Sequence, residues 1–251
     1  MNRTIRWDAT TADNSGGAGY RPLALVTGAS RGIGAAIARR LGGSHELLLG
    51  GRDAEALRAA AETLPWARPW PVELTDFAAL AEAASGIDRL DVLVHSAGVA
   101  RLGPLAETPP DWWQESFTVN VIAVAELTRL LLPALRAARG HVVLINSGAG
   151  LRANPGWGAY AASKFALTAY ADVLRGEEEP HGLRVTSVHP GRTATDMQRS
   201  VREYEGGAYE PDQYLRPESI AEVVHTAVAA TPDAHVHEII VRQRASGSWT
   251  R

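Results

Sequence analysis

Along the 251-residue chain, short continuous apolar runs alternate with longer stretches in which apolar residues recur at three- and four-residue steps. The short runs predict seven strands, at residues 23–26, 47–49, 70–76, 90–98 with an exit loop, 141–147, 183–188 and 236–241. The longer period predicts helices ending near 41 and spanning 54–64, 77–84, 111–139, 159–178 and 217–230. In the longest of these, Trp112, Trp113, Phe117, Val121, Val124, Leu127, Leu131 and Leu135 fall mostly on one stripe. Strands without internal alternation are buried on both faces. The pattern therefore predicts one α/β domain, a doubly wound sheet of seven mainly parallel strands with helices on both faces and a ligand crevice at the strands' carboxyl ends. Residues 1–20 are polar without period and read as a mobile extension, 21–245 as the domain and 246–251 as a tail.

The turns narrow the chemistry. After the first run comes Thr27-Gly28-Ala29-Ser30-Arg31-Gly32-Ile33-Gly34, then an Ala-rich helix. Strand, Gly-rich turn and helix bring backbone N–H groups to a pyrophosphate at a positive helix end. The second run ends in Gly50-Gly51-Arg52-Asp53, where such folds meet an adenosine ribose with an acid for a 2′-hydroxyl or an Arg for a 2′-phosphate. Asp53 directly precedes a helix and reads as its N-cap, leaving Arg52 for the phosphate; the alternative gives Asp53 the ribose and Arg52 to solvent. Asp76 likewise reads as a helix cap. Tyr160 and Lys164, four residues apart, share one helix face, and Ser147 ends a strand across a Gly/Pro-rich loop. A phenol beside a cation, with a hydroxyl facing both, suits a carbonyl group. A phenol of pKa ~10 needs about 4 kcal/mol to ionise at neutrality. A cation ~4 Å away at an effective dielectric of about 20 supplies that. His235 and His237 alternate on the last predicted strand, but no third ligand accompanies them, so no metal site is expected.

Charge and composition remove other classes. A net charge of −3, and no basic block beyond a dipeptide, argue against nucleic acid and anionic membrane as partners. The absence of cysteine excludes disulfides, iron–sulfur clusters and thiol catalysis. With no run of ~18 apolar residues and no charged-then-apolar start, neither a membrane span nor a secretory signal is expected, and the plain expectation is a cytoplasmic protein.

The T-G-x-x-x-G-x-G spacing at 27–34, the thirteen residues from Ser147 to Tyr160, the intact Y-x-x-x-K, Asn120 in V-N-V, and Pro190-Gly191 occur in one order. Over residues 22–242 the chain resembles the short-chain dehydrogenase/reductase family. That resemblance implies a Rossmann-type sheet and a catalytic set of Asn120, Ser147, Tyr160 and Lys164, with Tyr160 and Lys164 also touching the cofactor. It further implies cofactor contacts from Gly28, Ser30, Arg31, Gly32, Ile33 and Gly34. A base at Arg31, with Arg52, implies NADP(H) in preference to NAD(H). Glu73 and Leu74 are placed at the adenine edge, where the family usually carries Asp, and Ser96, Ala97 and Gly98 on the adenosine side. His95 there is expected as a sheet-end hydrogen bonder. Pro190, Gly191, Thr193 and Thr195 are expected to shape the nicotinamide pocket, and Asn120 to distort its helix and hold a water against Lys164.

The expected reaction is NADPH-dependent reduction of a ketone or aldehyde, with Tyr160 as general acid. An oxidative alcohol dehydrogenase or a 3-oxoacyl-thioester reductase would use the same residues. A non-catalytic NADP(H) sensor is the reading from another class, although such proteins typically lack the Tyr or the Lys. Substrate identity is expected in residues 151–157 and 196–216, the latter either a loop closing over substrate or a surface insertion. By resemblance, a homodimer or homotetramer pairs through the helices around Asn120 and Tyr160, and Trp112 and Trp113 suit either such an interface or the core.

Overall fold

The computed structural model describes residues 20–244, so the expected N-terminal extension up to residue 19 and the tail at 246–251 lie outside the described residues. Seven strands, β1 (Leu23–Thr27), β2 (Glu46–Gly51), β3 (Ala67–Pro71), β4 (Val92–His95), β5 (His141–Ile145), β6 (Arg184–Pro190) and β7 (Glu238–Val241), form one sheet in the order β3-β2-β1-β4-β5-β6-β7. Every neighbouring pair is parallel. The strand order reverses between β1 and β4, so the crevice opens at the carboxyl ends of those two strands.

Helices α1 (Gly32–Leu41), α2 (Ala54–Glu62) and α8 (Pro217–Val228) cover one face, where Ile37, Leu41, Leu57, Ile220 and Val224 pack on Val26, Leu49 and Val188. The other face is covered by α3 (Phe77–Ala84), α5 (Ala123–Ala138) and α6 (Gly158–Glu178), through Leu80, Leu127, Leu131, Leu135 and Leu167. Among the described residues two further α-helices are α4 (Pro110–Phe117) and α7 (Asp196–Tyr204).

Several boundaries depart from the expected ones for local reasons. The third strand is Ala67–Pro71 rather than 70–76. It carries two prolines, which an edge strand tolerates because only one side of its backbone must donate to a neighbour, and β3 pairs with β2 alone. The expected helix at 111–139 is three pieces: α4, a π-helical turn at Thr118–Ile122, and α5. Taken together, Pro110–Ala138 is long and apolar enough, on length and composition, to cross a bilayer, contrary to the expectation that no such stretch exists. In the fold its Leu127, Leu131 and Leu135 are instead core. Residues 196–216 are not all loop, since Thr195 caps α7 by accepting from the Gln198 N–H at 3.3 Å. His235 and His237 precede β7, and His235 Nε2 accepts from the Val185 N–H at 2.7 Å. Asp53 and Asp76 cap α2 and α3 as read. Tyr20, the last residue of the expected extension, donates its hydroxyl to Asp91, whose carboxylate also accepts from the Leu23 N–H at the start of β1.

Candidate active site

The Gly-rich turn is built by close backbone approaches. Gly28 has φ +66°, and a Cβ on it would lie 2.9 Å from the Ala97 backbone. Thr27 Oγ1 accepts from the N–H groups of Ser96 and Ala97 at 3.0 and 3.2 Å, clamping the exit of β4 against that of β1. At Gly34, a Cβ would sit 2.2 Å from the Gly28 carbonyl oxygen. The first turn of α1 carries no acid, and Arg31 at its N-cap makes no side-chain capping bond, whereas α2, α3 and α7 are capped by side chains. An uncapped helix start beneath glycines fits the pyrophosphate of a dinucleotide, for its first N–H groups need an acceptor. Gly28, Ser30, Gly32, Ile33 and Gly34 would hold it. Gly34→Ala is expected to cost about 1–3 kcal/mol, because backbone crowds backbone on both sides, and to weaken NADPH binding. Thermal melts and a fluorescence titration check both, and an unaltered protein would show that the turn can open.

Arg31 and Arg52 are both 76% exposed, and each meets a carboxylate only loosely, Asp196 at 3.7 Å and Glu73 at 3.6 Å. Exposed pairs of this kind contribute little and leave both guanidiniums able to take another anion. Glu73 also accepts from the N–H and hydroxyl of Thr75, at 3.1 and 2.9 Å. Leu74 packs partly buried against the core. Arg52, Glu73 and Leu74 thus form a corner beyond the main cavity.

That cavity, about 500 Å³, lies at the carboxyl ends of the strands and is lined by Ile33, Ser96, Gly98, Ser147, Tyr160, Lys164, Pro190, Gly191, Thr193 and Thr195, among others. Ser147 follows β5 and starts a short helical turn, its hydroxyl accepting from the Ala149 N–H at 3.1 Å. Tyr160 and Lys164 sit on the first turns of α6, both buried. Trp157 walls the phenol, ring centroids 5.8 Å apart. Lys164 Nζ donates to the Ile145 carbonyl at 3.0 Å, which fixes the ammonium at the end of β5, 5.9 Å from the Tyr160 ring centre.

Burial lowers the Lys164 pKa to about 8. Burial is also the larger influence on Tyr160, raising its pKa, and hydrogen bonding with Ser147 pulls it back down. The expectation that a cation about 4 Å away supplies enough energy to ionise the phenol meets a different geometry: Lys164 Nζ donates to a strand carbonyl, 5.9 Å from the ring centre, and burial raises the phenol's pKa.

Asn120 is buried within the π turn. Its Oδ1 accepts from the Val99 N–H at 2.9 Å, and its Nδ2 donates to the Val99 carbonyl and the Ser163 hydroxyl, each at 3.0 Å. Ser163 in turn donates to the Tyr160 carbonyl at 2.7 Å. Gly98 brings these parts together, since a Cβ there would lie 3.2 Å from Asn120 Oδ1 and 3.9 Å from Lys164 Nζ. His95 is buried at the sheet end, its Nε2 paired with Thr128 Oγ1 at 2.9 Å and its pKa lowered to about 3 by burial, so it stays neutral. Thr193 is buried and donates to the Gly191 carbonyl at 3.1 Å, and Thr195 donates to the Thr193 carbonyl at 3.2 Å.

Three residues that sequence reasoning passed over belong to this site. Ser163 links Asn120 to Tyr160. His189, fully buried on β6, has Nδ1 3.0 Å from the Ser147 carbonyl and so braces the serine loop. Arg242 lies beyond β7, with its guanidinium against Gly148. Only Ser163 carried a signal, one helical turn beyond Tyr160 on the same face.

A short chain dehydrogenase family model matches residues 22–206. The chain is 36% identical over 239 residues to a glycine betaine reductase of Emericella nidulans, a match covering 88% of this chain but only 19% of that much longer protein. Among solved structures it is similar to an alcohol dehydrogenase of the archaeon Thermococcus sibiricus complexed with 5-hydroxy-NADP, with TM-score 0.82, 27% identity, and 91% of this chain and 100% of the other covered. A metagenomic short-chain oxidoreductase in complex with NADP is similar at TM-score 0.76 and 34% identity, with 89% and 98% covered. The chain belongs to the short-chain dehydrogenase/reductase family.

Proposed function

We propose that the chain is an NADPH-dependent reductase that converts a ketone or aldehyde into an alcohol, with Tyr160 as general acid. The observation that carries this reading is the convergence of Ser147, Tyr160 and Lys164 in one cavity that also reaches Ile33 beside the uncapped start of α1. When bound, the dinucleotide supplies hydride to the carbonyl carbon. Ser147 and Tyr160 offer hydroxyl donors where negative charge develops on the carbonyl oxygen, which favours the transition state over the ground state. Because burial raises its pKa, Tyr160 remains a protonated phenol at neutrality, the form from which an acid acts. Lys164, cationic below about pH 8, stabilises the tyrosinate left after proton transfer. Asn120, joined to Tyr160 through Ser163, holds the start of α6 in register.

The experiment is to follow NADPH consumption with a panel of ketones, aldehydes and 3-oxo thioesters. Turnover of a simple carbonyl supports the reading, and binding of NADPH without any turnover favours the sensor. For the cofactor, we infer a 2′-phosphate preference carried by Arg31 and Arg52. Arg52→Ala is expected to reduce the NADPH-to-NADH ratio of kcat/KM about tenfold, the size of one lost charged hydrogen bond. An unchanged ratio in steady-state kinetics would remove Arg52 from that role. Self-association belongs to the same reading: Ile122, Phe165 and Val173, on the π turn and α6, are 48%, 44% and 57% exposed apolar groups. Trp112 and Trp113, half-buried, pack close to Gly103 and Gly158.

A further inference from the structure

The cavity lining has no carboxylate, yet it includes Arg152, Lys164, Arg192 and Arg242. In a chain with 28 acidic against 25 basic residues, that is a local excess of positive charge at the site itself. Lys164 already has its role, and Arg192 is held in a two-pronged pair with Glu205, a carboxylate it shares with Arg202. Arg152 and Arg242 differ from the chain's paired arginines. Arg152 has no ion-pair partner among the described residues. Among the described residues Arg242 donates only to the neutral carbonyls of His189 at 3.1 Å and Val241 at 3.4 Å.

The position of Arg242 gives its charge a purpose. Its guanidinium lies flat against Gly148, the residue after Ser147: a Cβ at 148 would sit 3.1, 3.2 and 3.3 Å from Nη1, Nη2 and Cζ. A Cβ at 148 would make the head group give way, so the glycine lets a cation stand one residue along the chain from Ser147. This is the reacting end of the cavity, whereas the pyrophosphate fits at the Gly28–Gly34 turn. A third unsatisfied donor shares the lining. Gln198, 6% exposed, has its Nε2 buried with no acceptor. The orphan amide donor of Gln198 is buried and needs an oxygen acceptor, and the two exposed guanidiniums, with no ion-pair partner among the described residues, are free to take a ligand anion.

We propose, resting on the carbonyl-reductase reading, that the substrate is an oxo acid whose carboxylate pairs with Arg242 while its carbonyl sits at Ser147 and Tyr160, Arg152 adding to the field that draws the anion in. The carbonyl carbon gains a hydride from the reduced dinucleotide, the carbonyl oxygen gains the Tyr160 proton, a solvent proton restores the phenol, and the carboxylate leaves unchanged. The products are a hydroxy acid and the oxidised dinucleotide.

The test compares kcat/KM for 3-oxobutanoate and 4-oxopentanoate with that for their ethyl esters, in the native chain and in Arg242→Gln and Arg242→Lys. The native chain is expected to prefer at least one acid over its ester by about tenfold or more. Arg242→Gln is expected to lower that acid-to-ester ratio by about ten- to a hundredfold, one charged hydrogen bond's worth, and Arg242→Lys to restore part of it. Should Arg242→Gln fail to fold, Arg152→Gln, at an exposed residue, is expected to lower the same ratio by a smaller factor. A native preference for the esters overturns the proposal and leaves the reductase reading standing. A ratio unmoved by either variant also overturns it, since a purely structural or cofactor-holding arginine changes acid and ester alike. Turnover of no carbonyl compound overturns both readings.

Discussion

Tyr160→Phe is expected to lower both kcat and kcat/KM for carbonyl reduction by about a thousandfold, within the range that loss of a general acid and an oxyanion donor produces, while NADPH still binds. The substitution removes one oxygen from a 7% exposed ring held by Trp157 and the first turn of α6, and the volume that packs is kept. Ser147 retains its own partner, the Ala149 N–H, so the serine loop has no reason to move. The loss should therefore fall on the transition state alone, with kcat and kcat/KM decreasing together and KM steady. Stopped-flow hydride transfer and a fluorescence titration of NADPH separate chemistry from binding. Retained turnover would assign the proton to another donor, and lost NADPH binding would mean that the phenol holds the cofactor rather than the carbonyl.

The parts of this site that could be read from sequence are those encoded by local spacing. The strand–turn–helix at 23–41 is legible because its glycines serve the turn locally, Gly28 with φ +66° and Gly34 against the Gly28 carbonyl, and the Tyr160–Lys164 pair because a helix stacks residues four apart. Arg242 and His189 were not legible. They reach the Ser147 loop only because β6 lies beside β5 and β7 beside β6 in the sheet, a neighbourhood no local pattern encodes. Helix α7 was missed for another reason. In DMQRSVREY, Met197 and Val201 are the aliphatic residues, four apart, too thin a stripe to distinguish a helix from a polar loop, although Thr195 before it was a usable cap. The environment of Tyr160 was only half legible because sequence supplies the nearby cation but not the burial, which raises the phenol's pKa.

Lys164→Met is expected to abolish reduction as thoroughly as Tyr160→Phe and, unlike it, to make the fold more stable. Lys164 is 5% exposed with a pKa of about 8 against an ordinary value of 10.5, so the native fold holds this amine less willingly as a cation than the unfolded chain does. Below pH 8 both states bind the proton and the fold carries the full cost of a buried charge, about 3 kcal/mol at 1.36 kcal/mol per pH unit. Between pH 8 and 10.5 the unfolded chain binds more protons than the native one, so native stability rises with pH across that window and the cost disappears. Methionine has similar length and no charge. After loss of the hydrogen bond to the Ile145 carbonyl, worth about 1 kcal/mol, the variant should gain roughly 2 kcal/mol at pH 7, or several degrees in Tm. That advantage should shrink as pH rises, vanish near pH ~9.5 and give way to a deficit of about 1 kcal/mol by pH 10.5, where only the lost hydrogen bond counts. Melting curves of both proteins from pH 7 to 10.5 check the window, and the rate of the native chain should decline above pH 8 as the ammonium is lost. A variant less stable than the native chain at pH 7 would mean that the ammonium is held by more than one strand carbonyl, and the lysine would then be part of the scaffold as well as of the chemistry.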